Sequence, residues 1–262
     1  MLALPDYSAF FWITAVFAVI LIGIAKAGIG GGIGVIATPL MALTIPVADA
    51  AALVLPILIV ADLLSVQQYR DQFDRSNLRI LLPSALVGIV VGSFFFNYFS
   101  QNDRALKVGI GVIGLLFVVY QLGKTAVMQK LNEQKPSPTW GVVLGTVSGF
   151  TSTLAHVGGP PMAMYLLPQR LPRNLFVGTS ALFFMVVNIV KLVPYSFLGL
   201  IRIGNLATTL LLLPLAFIGV RLGVWLNGRF SEEWFTRVVY MLLTLTSIQL
   251  ILGESLISLL SS

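Results

Sequence analysis

The 262-residue chain is 57% hydrophobic and only 10% charged, and its mean hydropathy is +0.95. Because a soluble domain carries about 25% charged residues, this composition excludes a soluble enzyme, a disordered chain and a nucleic-acid-binding protein, and predicts an all-α polytopic membrane protein. No cysteine is present, which excludes disulfides, thiolate metal sites and cysteine nucleophiles.

Apolar segments long enough to cross a bilayer, about 20 residues each, recur along the chain. Two shorter apolar pieces, 33–45 and 160–167, are too short to span comfortably. The first long segment has no basic region before it, so we expect it to be retained and not cleaved as a signal peptide. The predicted spans cover residues 8–25, 49–66, 78–99, 106–122, 140–155, 174–197, 205–226 and 234–260.

A polar stretch from Gly123 to Thr139 separates two halves that resemble each other. The pattern of residues 82–92, a Leu-Pro pair followed by two glycines four residues apart, recurs at 213–223. Asp62 of the first half corresponds to Asn188 of the second, and we interpret the paired glycines as helix-packing positions. The predicted parts are a first transmembrane repeat over 1–123, a cytoplasmic linker over 124–139 and a second transmembrane repeat over 140–262.

The two repeats are predicted to be inverted. Each holds a Gly/Pro-broken hairpin segment and three transmembrane helices, about eight transmembrane helices in all. A hairpin returns to its starting side, so three further crossings make the second half begin on the opposite side. Ten Lys and Arg residues fall on one predicted face and three on the other. The positive-inside rule then places both termini outside and the 124–139 loop in the cytoplasm.

The two breaks carry most of the chemistry. Residues 28–34 contain five glycines in seven positions, and residues 151–161 end in Gly-Gly-Pro-Pro. Such sequences do not continue a stable helix, and a bilayer tolerates them only where they are buried in protein or line a cavity. Two half-helix starts meeting there would bind an anion; the alternative is close packing through small residues. The candidate substrate-binding residues at the breaks are Lys26, Gly30, Gly31, Gly32, Gly34, Thr38, Thr151, Ser152, His156, Gly158, Gly159 and Pro160.

Ionisable and polar residues inside the predicted spans add to this chemistry. A carboxylate in lipid is costly, so Asp62 is a candidate for taking a coupling proton, unless it lies near the membrane interface. Asn188 and Lys191 share a helix face, and Lys191 either attracts an anion or snorkels outward. His156, the only histidine, either serves an anion or a proton or is a satisfied core residue. We predict neither a metal site nor a cofactor.

Together these features resemble the TauE/SafE family of sulfite and organosulfonate exporters. The resemblance covers nearly the whole chain and is carried by the glycine-rich first break with Thr38-Pro39, by the second break ending at Pro161, and by the two-half arrangement. It implies a transporter of the bacterial inner membrane with eight helices. The expected substrates are sulfite, sulfoacetate and related sulfur-containing anions, flanked by the two breaks near mid-membrane.

The sequence therefore predicts a secondary transporter of small anions and not an enzyme. No ATP-binding motif is present, so an ion gradient or the gradient of the substrate itself would drive transport. The expected partners are a small anionic solute and the lipid bilayer, with no nucleic acid, and a homodimer is left open. One alternative is a passive anion channel. The other is an intramembrane transferase, for which Asp62 and His156 have no supporting catalytic pair.

Overall fold

A computed structural model of the protein describes residues 6–26, 36–99, 102–131, 136–226 and 232–253. These residues form α-helices joined by short connections, and no strand occurs among them. The prediction of an all-α fold is therefore confirmed. The helices are α1 Ala9–Ile24, α2 Ala37–Met41, α3 Val47–Gln68, α4 Arg75–Phe99, α5 Asp103–Leu131, α6 Pro138–Ala155, α7 Gly159–Leu166, α8 Arg173–Phe197, α9 Ile203–Leu226 and α10 Glu232–Leu252.

The helix bounds follow the predicted spans closely, and the two short apolar pieces contain α2 and α7. One difference is that α5 continues to Leu131, because no glycine or proline follows Gly123 to end the helix before that residue. Among the described residues, four helices are long and apolar enough to cross a membrane. They are Val47–Gln68, Arg75–Phe99, Arg173–Phe197 and Gly204–Leu226, and Ala9–Ile24 and Val239–Leu252 are shorter apolar helices.

Corresponding helices of the two halves begin in the same way. The Ser8 hydroxyl accepts a hydrogen bond from a backbone amide in the first turn of α1, and Ser137 does the same for α6. Each hydroxyl satisfies an amide that has no carbonyl partner within its helix. Pro46 precedes α3 with φ −55° and ψ 143°, and Pro172 precedes α8 with φ −50° and ψ 141°. The fixed φ of proline sets the same entry angle in both halves.

Each half completes its packing with helices from the other half. Helix α1 packs against α9, and the corresponding helix of the second half, α6, packs against α4. The pairs α3–α8 and α5–α10 also join one helix from each half. The main hydrophobic core accordingly contains residues of both halves. Neither half therefore buries its apolar surface by itself.

Glycines allow the closest of these contacts. A Cβ atom added at Gly23 would lie 2.5 Å from the Val220 backbone nitrogen, and one added at Gly219 would lie 2.6 Å from the Ile20 carbonyl oxygen. Between α4 and α6, a Cβ atom at Gly88 would collide with the Thr146 carbonyl group. Such approaches are open only to residues without a side chain. The interpretation of the paired glycines as packing positions is confirmed.

The outer surface of the helix assembly is apolar. Phe94, Phe197 and Leu122 are 73%, 88% and 77% exposed. Large apolar side chains exposed to this extent are unfavourable in water and favourable against lipid tails. The surface therefore fits a multi-pass membrane protein.

Candidate functional site

A buried ion pair lies where α3 and α8 meet Lys26, two residues beyond the end of α1. The Lys26 ammonium nitrogen is 2.6 Å from Asp62 Oδ1, and Asn188 Nδ2 donates a hydrogen bond of 2.7 Å to Asp62 Oδ2. The Lys26 ammonium also lies 4.4 Å from the centroid of the Phe184 ring, within the range of a cation–π contact. Asp62 is fully buried and not at an exposed helix end. Oδ2 accepts the hydrogen bond from Asn188, whereas Oδ1 is held by the ion pair with Lys26 and has no hydrogen-bond partner among the described residues. A buried charge needs such a partner of opposite sign.

Asp62 and Asn188 correspond to each other in the two halves, and the structure brings their side chains into direct contact. The amide is a neutral relative of the carboxylate with nearly the same shape. One half therefore supplies the charge and the other supplies a donor for it. The Asn188 Oδ1 atom is buried and has no hydrogen-bond partner among the described residues.

A second buried cluster surrounds Lys191. Its ammonium nitrogen lies 3.0 Å from the Ser152 carbonyl oxygen, 3.0 Å from Ser152 Oγ and 2.7 Å from His156 Nδ1. Because Lys191 has no exposed surface, the alternative that it snorkels outward is wrong. The ammonium directs its three N–H bonds at three neutral acceptors and, within the described chain, is not paired with a carboxylate.

The hydrogen-bond partners of His156 determine which of its ring nitrogens carries the hydrogen. His156 Nε2 lies 3.0 Å from the Ala51 carbonyl oxygen of α3. A carbonyl only accepts hydrogen bonds, so Nε2 carries the hydrogen. In the neutral ring the other nitrogen, Nδ1, is then an acceptor for Lys191. His156 thus bridges Lys191 of α8 to the backbone of α3 as a neutral imidazole.

The second break lies beside these two clusters. Helix α6 ends at Ala155, His156 adopts the left-handed conformation with φ 57°, and α7 begins at Gly159 without a side-chain cap. The Ser148 hydroxyl donates a 2.6 Å hydrogen bond to the Gly158 carbonyl, and the Thr151 hydroxyl lies 3.0 Å from the Val157 carbonyl oxygen and 2.8 Å from the Val147 carbonyl oxygen. The predicted interruption between α6 and α7 is confirmed. The Ser148 and Thr151 hydroxyls therefore stabilise its irregular backbone.

The candidate residues are distributed between these features as follows. Lys26, Asp62 and Asn188 form one cluster, and Ser152, His156 and Lys191 form the other. Thr38 belongs to α2, where its buried hydroxyl has no hydrogen-bond partner within the described part of the chain. The remaining described candidates belong to the second break and are Thr151, Gly158, Gly159 and Pro160. The candidates of the first break, Gly30, Gly31, Gly32 and Gly34, lie outside the described residues.

Tyr195 belongs to the second cluster and was not predicted as a site residue. Its hydroxyl donates a 2.8 Å hydrogen bond to the Thr153 carbonyl in the last turn of α6, and the side chain is fully buried. Asn188, Lys191 and Tyr195 are spaced along a single face of α8. This spacing is the signal in the sequence that identifies Tyr195.

The buried charges do not cancel. Among the described residues, the buried Lys, Arg, Asp and Glu side chains are Lys26, Lys191 and Asp62. The stretch 27–35, which lies outside the described residues, contains no ionisable side chain. With all three side chains ionised, two lysines against one carboxylate give one net positive charge in the interior. Within the described chain, no group of three His, Cys, Asp or Glu residues is placed to hold a metal ion.

Apolar helices, a broken helix pair and buried charges beside the break together fit a multi-pass membrane protein. Residues 15–250 match the model of the family described as "Sulfite exporter TauE/SafE". The chain belongs to this transporter family. No curated protein and no solved structure matches the chain.

His156 is expected to stabilise the site through its two hydrogen bonds. We predict that His156→Ala lowers the free energy of unfolding by about 1–3 kcal/mol, because it leaves a buried Lys191 N–H and the Ala51 carbonyl without this partner. Arg170→Ala is the matched control, since Arg170 is exposed and has the same left-handed backbone, with φ 52°. The loss of stability in both variants is measured by thermal unfolding in detergent. Equal losses would contradict the prediction.

Proposed function

We propose that the protein is a secondary-active transporter of small anions, and specifically of sulfur-containing anions such as sulfite, sulfoacetate and other organosulfonates, in the bacterial inner membrane. Membership of the TauE/SafE family supports transport as the class of activity. The observation that carries the choice of an anion is Lys191, whose buried ammonium contacts, among the described residues, three neutral acceptors and no carboxylate. A net positive charge inside a bilayer protein is costly, and a bound anion removes that cost.

We place the anion beside the second break, near mid-membrane. Lys191 supplies the charge, and Ser152 and His156 hold its ammonium. Asn188 and Thr38 each have a buried polar atom without a partner among the described residues, and such atoms are available to a ligand. The remaining contacts with the anion are assigned to Lys26 and to residues of the two breaks. These residues are Gly30, Gly31, Gly32, Gly34, Thr151, Gly158, Gly159 and Pro160.

Transport is proposed to proceed by alternating access between two inverted repeats, 1–123 and 140–262, with both termini periplasmic and the 124–139 linker cytoplasmic. The pairing of α1 with α9 and of α6 with α4 supports this arrangement, because a two-fold related pair of repeats makes each type of contact twice. Asp62 is assigned to the coupling proton because it is the buried carboxylate of the described structure.

The proposal is tested by ligand-induced stabilisation and by transport with purified protein. Isethionate is expected to raise the thermal midpoint, since a ligand at a hundred times its Kd stabilises the folded state by about 2.7 kcal/mol. Lys191→Gln is expected to weaken binding by about tenfold or more, because it removes the buried positive charge that balances the charge of the anion. Lys107→Gln is the control, since Lys107 pairs with Asp103 at a partly exposed position.

In liposomes, the wild-type protein is expected to show saturable counterflow of labelled isethionate. Flux that does not saturate would favour the passive channel. Binding that is as tight in Lys191→Gln as in Lys107→Gln would show that the anion does not use the buried lysine.

A further inference from the structure

The two buried lysines differ in how their charges are balanced. Lys26 has a carboxylate partner, Asp62, at 2.6 Å. Lys191 has three neutral acceptors. The charge of Asp62 therefore decides how many positive charges the interior offers to a ligand. With Asp62 ionised the excess is one, from Lys191. With Asp62 neutral the excess is two, because Lys26 is then also unbalanced.

Asn188 allows Asp62 to exist in both states at this position. Its Nδ2 group donates to the carboxylate in the arrangement described. Its Oδ1 atom is buried without a partner among the described residues. If the amide group turns over, this oxygen accepts the O–H of a protonated Asp62. The same pair of residues thus satisfies the ionised carboxylate and the neutral acid.

No other described group changes the number of excess positive charges in the interior. Besides Asp62, the titratable side chains of the two buried clusters are Lys26 beyond the end of α1, Lys191 and Tyr195 on α8, and His156 at the second break. His156 is neutral in the geometry described, and the Tyr195 hydroxyl donates to a backbone carbonyl. The stretch 27–35 contains no ionisable residue.

We infer that Asp62 is a specificity-determining residue that sets the charge of the accepted anion. The ionised Asp62 selects a monoanion, and the neutral Asp62 selects a dianion. This inference rests on the proposed function, because it requires an anion at this site. It also gives a physical reason for coupling proton binding at Asp62 to the transport of a dianion. A dianion that enters with one proton on Asp62 carries the same net charge into the membrane as a monoanion that enters alone.

Isethionate and sulfoacetate are the probes, since both are small sulfonates and the second has a carboxylate in place of the hydroxymethyl group. Affinities are measured near pH 7 from the concentration dependence of the thermal midpoint. The wild-type protein is expected to prefer isethionate. Asp62→Asn, which keeps an oxygen for Lys26 and an amide for Asn188, is expected to shift the preference toward sulfoacetate by on the order of tenfold or more, as one added buried charge changes the electrostatic balance.

Three further variants control the experiment. Asp62→Asn combined with Lys26→Gln restores one net positive charge and is expected to restore the preference for isethionate. Lys26→Gln alone leaves no net charge. It is expected to weaken the binding of both probes, and the binding of sulfoacetate more than that of isethionate. Asp71→Asn changes an exposed aspartate at a left-handed position, which asparagine also adopts, and is expected to have no effect.

The outcomes separate this inference from the proposed function. If Asp62→Asn binds both probes with the wild-type preference while Lys191→Gln still loses affinity, the charge-setting role of Asp62 is wrong and the anion site stands. If wild-type protein binds neither probe, the proposed function itself fails. Should Asp62→Asn not fold, the selective weakening of sulfoacetate in Lys26→Gln gives the same test, and equal weakening of both probes overturns the inference.

Discussion

Asp62→Ala is expected to lower the free energy of unfolding by about 3–5 kcal/mol, the loss that follows when one member of a buried ion pair is removed. The change leaves the Lys26 ammonium without its carboxylate at 2.6 Å and leaves the Asn188 amide without its acceptor. The Phe184 ring, 4.4 Å away, offsets only part of this loss, because a cation–π contact contributes about 0.5–2 kcal/mol.

A second substitution distinguishes the ion pair from the volume of the side chain. Lys26→Met in the Asp62→Ala background removes the unpaired charge, so it is expected to recover a large part of the lost stability. Asp71→Ala in the exposed turn after α3 is the control. Thermal unfolding in one detergent compares all four proteins. If the double variant is no more stable than Asp62→Ala, the instability comes from the cavity and not from the charge.

Gly88→Leu is expected to destabilise the protein by about 3 kcal/mol, at the upper end of overpacking effects. A side chain at Gly88 would collide with the Thr146 carbonyl of α6, and its Cβ atom would lie 2.7 Å from the Phe150 backbone nitrogen. Backbone atoms of a packed helix cannot turn aside as a flexible side chain can, so α4 and α6 would have to separate.

Gly109→Leu is the matched control because Gly109 also lies within a helix, α5, and a Cβ atom there would meet nothing within 4 Å. It is expected to be neutral or stabilising, since leucine favours a helix over glycine by roughly 0.5–1 kcal/mol. The thermal midpoints of both variants are measured together. Equal midpoints would mean that the α4–α6 contact tolerates a side chain.

The positions of the helices could be predicted from the sequence because the signals are local. Runs of apolar residues mark the spans, and the Gly-Gly-Pro-Pro sequence ending at Pro161 marks the second break. The predicted ends agree with α8 to within one residue. The continuation of α5 to Leu131 differs from the predicted linker, because polar composition alone does not distinguish a loop from a polar helix. Residues 124–131 favour a helix whether or not they lie in lipid.

The side-chain partners could not be predicted, because they depend on how separate helices pair and rotate. Nothing local indicates that Lys26 contacts Asp62, or that Lys191 is held by Ser152 and His156. A lysine near the end of an apolar span is equally compatible with snorkelling and with burial. The correspondence of Asp62 with Asn188 was visible, but it does not by itself show that the two side chains touch.

The exchange of packing partners between the two halves has a consequence for biosynthesis. Helix α1 finds its partner in α9, which begins at Ile203. At a translation rate of about 5–20 residues per second, α1 leaves the ribosome roughly 10–40 s before α9 is complete. During that interval Gly23 and its neighbours face lipid or the insertion machinery. Helix α4 has its partner as soon as α6 has been made, but the contact between α1 and α9 closes only after nearly the whole protein has been synthesised.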